Sequence, residues 1–89
     1  MSPTIAAMRR LLTDLEPLVL EIEDQSHRHI GHAGAAAGGG HFDMTIVSPR
    51  FIGKRPLERH RLVYDALRSL KGPHGFHALS ITAKAPDEI

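Results

Sequence analysis

Prolines divide this chain more sharply than any other residue type. Six are spread over its 89 residues, at Pro3, Pro17, Pro49, Pro56, Pro73 and Pro86. Each fixes φ at about −65° and removes a backbone donor, so each marks the start or the end of an element. Ser2-Pro3 has the form of an N-cap followed by the first helical residue. Ile5, Met8, Leu11, Leu12 and Leu15 then recur at helical spacing until Pro17 closes the helix. Pro56 opens a second helix that runs to about Lys71, where Gly72-Pro73 ends it. Its inner stripe reads Leu57, His60, Val63 or Tyr64, Leu67 and Leu70, and Arg61 stands four residues before Asp65 for surface pairing.

The remaining segments alternate with period two, as half-buried strands do. In the first, Leu18, Leu20 and Ile22 face one way and Val19, Glu21 and Glu23 the other. The second sets Phe42, Met44 and Ile46 against Asp43, Thr45 and Val47, and the third, Phe76 to Lys84, places His77, Leu79, Ile81 and Ala83 together. The first two strands most simply form a hairpin, joined by a long, flexible connection over 26–40 that is histidine-bearing at first and then only alanine and glycine. Ser48 to Arg55 is a connector with room for a short helical turn near Phe51, and the chain beyond Pro86 reads as frayed. The order helix, strand, strand, helix, strand gives an α+β fold, a three-stranded sheet covered on one face by helices.

Composition bounds what such a fold can do. A chain this short makes one domain, here 1–89, and a hydrophobic share of 42% suits a folded domain over a disordered one. The absence of cysteine excludes disulfide scaffolds, thiolate zinc sites, a self-sufficient iron–sulfur site and a cysteine nucleophile. No apolar run spans a bilayer and the first fifteen residues are too polar for a signal peptide, so a cytoplasmic setting is expected. A net charge of +1 gives no strong field for nucleic acid.

Seven histidines are left as the candidate chemistry. His27, His29 and His32 form an H-x-H-x2-H array, with His41 just beyond the alanine–glycine tract. Imidazoles so spaced are able to converge on one divalent ion, or simply hydrogen-bond within a solvated loop. His60 lies on the apolar side of the second helix, where a structural role is the simpler reading. His77 begins the last strand and is either a core-edge histidine or a ligand exposed at the strand end. Gly38-Gly39-Gly40 lacks the Lys-Ser or Lys-Thr of a phosphate loop, and neither Ser26 nor Ser80 has the turn context of a nucleophile. No enzyme chemistry is indicated.

Taken in order, Ser26-His27-Arg28-His29 with His32-Ala33-Gly34, His41-Phe42, Val47-Ser48-Pro49-Arg50-Phe51-x-Gly53, Arg59-His60-Arg61-Leu62-Val63-Tyr64 and His77-Ala78-Leu79-Ser80-Ile81 resemble the BolA family. The match runs from about Leu15 to Pro86. The resemblance implies a class II K-homology-like order, α-β-β-α-α-β, and a non-catalytic role. It further implies a monothiol glutaredoxin partner and a [2Fe–2S] cluster shared with that partner and with glutathione. On this side the implied ligands are His77 and a histidine of the first loop, best placed at His29, with His32 and His27 as alternatives. The competing reading is a DNA-binding transcriptional regulator, for which Lys54, Arg55, Arg59 and Arg61 would supply phosphate contacts. The K-homology Gly-x-x-Gly clamp is missing from Gly53-Lys54-Arg55-Pro56. The free chain is expected to be a monomer or weak dimer, away from membranes.

Overall fold

A computed structural model describes residues 2–26 and 40–89. Helix α1 (Pro3–Leu11) starts as expected, with the Ser2 hydroxyl accepting from the Ile5 amide at 3.2 Å. It stops short of Pro17: the last turn tightens into a 3-10 helix at Thr13–Leu15, and Glu16 takes a left-handed φ of 51°. Strands β1 (Val19–Asp24) and β2 (Gly40–Val47) pair antiparallel, and β3 (Phe76–Lys84) pairs parallel with β2, giving the order β1-β2-β3. A 3-10 turn at Pro49–Phe51 and helix α2 (Pro56–Ala66) make the crossover between β2 and β3. The expected element order therefore holds, with the middle helical element reduced to that single turn.

Phe42, Met44 and Ile46 point to the helices as the alternation predicted and meet Met8, Leu12, Phe51, Val63, Leu67 and Phe76 in one core. The opposite face carries Glu21, Glu23, Asp43, Ser80 and Thr82, all exposed. Both sheet edges are capped by side chains. Arg9 donates to the Leu20 carbonyl at 3.1 Å on the β1 edge, while on β3 the Tyr64 hydroxyl donates to Leu79 at 3.0 Å and Arg59 to Ala83 at 3.2 Å.

Three expectations need correction. The inner stripe of α2 is rotated: Leu57 is 61% exposed and His60 is exposed too, whereas Arg59 and Val63 are buried. A charged residue is tolerated inside because all three nitrogens of its guanidinium donate to carbonyl or carboxylate oxygens. Arg59 Nε donates to the Lys54 carbonyl at 2.9 Å, and its two terminal nitrogens reach Ala83 and both oxygens of Glu88. For the same reason the chain after Pro86 is not frayed. Pro86–Glu88 forms a 3-10 turn in which Glu88 accepts from Arg59 Nη2 at 2.8 Å and from the Ala85 amide at 2.9 Å. Hydrogen bonds from Arg59, then the one from Ala85, hold the Glu88 carboxyl down at about 2. Finally, Asp65 pairs with Arg68 at 3.2 Å, not with Arg61.

Candidate metal centre

The third strand does not alternate regularly. Gly40 pairs with Phe76 but His41 with Ala78, so His77 is the extra residue of a β-bulge. Phe76 and Leu79 can therefore both enter the core, although they stand three residues apart. The shared face predicted for His77 and Leu79 is thus incorrect: Leu79 is buried and His77 is exposed.

Close backbone approach builds this bulge. The turn before it is closed by Gly72 donating to Phe76 at 3.0 Å and by Gly75 donating to Gly72 at 3.2 Å. A Cβ at Gly75 would lie 1.7 Å from the Leu70 carbonyl oxygen, so only glycine fits. Gly40 donates to the Gly75 carbonyl at 3.0 Å, and a Cβ there would lie 2.5 Å from the Phe42 ring. Tyr64 reinforces the arrangement from outside. It meets the Phe76 ring edge-on at 6.0 Å and stacks with His60 at 5.1 Å. His60 is thus a surface ring on Tyr64, which accords with a structural role and corrects its place on the apolar side.

The bulge turns His77 toward His41, with ring centroids 5.6 Å apart and planes inclined at 36°. His41 is held by its backbone, donating to the Ser26 hydroxyl at 3.1 Å and accepting from the Gln25 amide at 2.7 Å. Because β1 ends where β2 and β3 begin, the connection that carries the other candidates leaves and rejoins the sheet at this same end. His27, His29 and His32 lie outside the described residues. Among the described residues no three histidine or carboxylate side chains come together to hold a metal ion. Two imidazoles can supply part of a coordination shell, so the donor set suits a site completed by other ligands. The proximity of His41 to His77 was missed in the sequence. Its one legible sign was the three-residue spacing of Phe76 and Leu79, which no regular strand can bury on a single face.

The basic strip is dispersed. Lys54 is half-buried and Arg55 and Arg61 are exposed, while Arg59 is committed to Glu88 and to two carbonyls. No helix among the described residues is long and apolar enough to cross a membrane.

Comparison with known proteins agrees with this architecture. A family model described as BolA-like protein matches residues 11–88. The BolA domain of SufE1 from Arabidopsis thaliana superposes with a TM-score of 0.80 at 44% identity, covering 100% of this chain and 98% of that domain. The solution structure of BolA1 from Mus musculus gives 0.77 at 46%, covering 99% of this chain and 69% of the other. Among curated sequences, SufE-like protein 1 of Arabidopsis, named as chloroplastic/mitochondrial, is 46% identical over 86 residues, 90% of this chain and 23% of that protein. BolA-like protein 1 of the mouse is 48% identical over 86 residues, 94% of this chain and 59% of that protein. The chain thus spans less than two thirds of the length of either. With a family model covering most of its length and relatives near half identity, this chain belongs to the BolA-like family.

Proposed function

We propose that this chain is a non-catalytic adaptor that binds a monothiol glutaredoxin and co-ligates a [2Fe–2S] cluster, in iron–sulfur cluster trafficking or iron and redox regulation in the cytoplasm. The observation that carries the reading is His77: an exposed imidazole on a bulge, beside His41, in a chain without cysteine. His77 is the first ligand on this side, and His29 of the connecting segment the second, with His32 and His27 as alternatives. The glutaredoxin and glutathione bring the sulfur ligands. Imidazole in place of thiolate on one iron raises the reduction potential of such a centre. It also restricts ligation to the neutral ring, so binding weakens with acidification.

The residues here bind and orient. The bulge fixes where the His77 ring stands, and Tyr64 and the two close glycines hold the bulge. Anaerobic reconstitution with a monothiol glutaredoxin tests the reading. Visible circular dichroism is expected to change when the wild-type chain joins the cluster-loaded glutaredoxin, and His77→Ala is expected to abolish that change. Because His77 is exposed, the same variant should shift stability by no more than about 0.5 kcal/mol. An unaltered hetero-complex spectrum for His77→Ala overturns the assignment. Steeply salt-dependent DNA binding by the isolated chain would instead favour the regulator reading, carried by Lys54, Arg55 and Arg61.

A further inference from the structure

The open face of the sheet is acidic, and the Gln25 amide oxygen on it is unpartnered among the described residues. Glu23 and Asp43 are directly opposed across β1 and β2, and Glu21 lies next to them on the same face. Like charges placed opposite one another destabilise a ladder, so this pair needs a reason. No hydrogen bond or ion pair engages the carboxylate of Glu21 or Asp43 within the described residues. Beside them Gln25 is 7% exposed, its amide nitrogen donates to Glu23, and its Oε1 has no hydrogen-bond partner among the described residues. Turning the amide over would set its oxygen against the Glu23 carboxylate, so the orientation is chemically determined. A buried carbonyl oxygen without a donor is costly unless something supplies one.

Two concavities meet at Asp43. One, of about 400 Å³, is lined by Gln25, His41, Asp43 and Ser80; the other, of about 520 Å³, by Arg9, Glu21, Glu23 and Thr45. Sharing Asp43, they make one grooved region, and the first is lined by His41, whose ring stands 5.6 Å from that of His77. Each is wide enough for a long side chain and faces it with acceptors. Among the described residues of the lining Arg9 is the one arginine or lysine, and its guanidinium already serves the Leu20 carbonyl.

We propose that this groove is a docking surface for a lysine or arginine side chain of the partner protein, whose donors satisfy Gln25 Oε1 and neutralise Glu23 and Asp43. The inference rests on the adaptor reading above and adds to it the face on which the partner lies. Charge complementarity selects a basic group, and the buried acceptor selects one that carries N–H donors. A partner seated there lies against His41, whose ring is 5.6 Å from that of His77.

Isothermal titration of the full chain with the cluster-loaded glutaredoxin, at about 50 and about 300 mM salt, tests this. The Glu23→Gln, Asp43→Asn double variant is expected to bind about tenfold more weakly at low salt and to lose most of its salt dependence. Its cluster spectrum at saturation should match wild type, because His77 is untouched. Gln25→Leu, which alters no charge, should weaken binding with the salt dependence retained. Thermal melts check folding, and removal of two opposed carboxylates should not lower Tm. Wild-type affinity and salt dependence in the double variant would overturn the inference while leaving the adaptor reading intact. Failure of the wild-type chain to bind at all would remove both. Saturable binding of magnesium or calcium centred on Asp43, followed by amide shifts, would assign the groove to an inorganic cation and overturn the side-chain occupant.

Discussion

The two ends of β3 are built on opposite plans. At its far end, the polar groups of Ser48, Arg59 and Glu88 find their partners within the chain. The buried Ser48 hydroxyl donates to the Leu15 carbonyl and accepts from the Arg50 amide, and the Ser48 amide donates to Lys84 at 3.0 Å. Arg59 uses its donors on Lys54, Ala83 and Glu88. At the near end, the strand is bulged and His77 projects to solvent, while on the neighbouring strands two carboxylates oppose each other and Gln25 Oε1 lacks a donor among the described residues. One end is satisfied internally and holds the C-terminal turn in place. The other leaves chemistry unsatisfied, as sites for ligands or partners do.

Substitutions can break this contrast. The largest effect is expected at the near end, from Gly75→Ala. The added carbon falls 1.7 Å from the Leu70 oxygen, so the turn must open and the bulge shift. A loss of about 3 kcal/mol in chemical denaturation is expected, together with movement of the His41 and His77 ring resonances. Full stability in this variant would show that the bulge does not depend on close packing. Tyr64→Phe should cost less, about 1 kcal/mol, by leaving the Leu79 carbonyl without its donor. Its effect should concentrate in amide exchange around Phe76 and Leu79, and uniform loosening of the sheet would contradict the local role.

The smallest effect sharpens the far end. The Glu88 carboxyl is depressed from an ordinary 4.5 to about 2 in the folded chain. The unfolded chain therefore binds the proton more readily, and the stabilisation is present above about pH 4.5 and lost as pH falls toward 2. Stability of the wild type should decline across that window. Glu88→Gln should flatten this part of the profile, and an unchanged acid slope would show that the turn does not depend on the ion pair.

Much of this was legible in the sequence, and the misses share a cause. Ser2-Pro3, Pro56 and Gly72-Pro73 punctuate the chain through local sterics, and the alternation of Phe42, Met44 and Ile46 follows from one buried face. Local rules suffice for such features. They failed at Arg59 because helical periodicity assigns an arginine to the surface. Its burial depends on carbonyls and a carboxylate at Ala83 and Glu88, far away in sequence. They failed again at His77, where parity assumes an unbroken strand and the bulge is imposed by contact between Gly40 and Gly75. The resemblance pointed to His77 as a ligand, but it could not reveal His41 beside it or the acidic groove leading there.

The capped edges have a consequence for how this chain meets others. A strand arriving at β3 to extend the sheet would have to displace the Tyr64 phenol and the Arg59 guanidinium from the carbonyls it needs, and at β1 it would meet Arg9. Edgewise growth, the route to fibrils and to strand-swapped dimers, is obstructed on both sides. Association is thereby channelled to the broad face and to the strand ends, and a protein at high concentration retains a defence against its own copies.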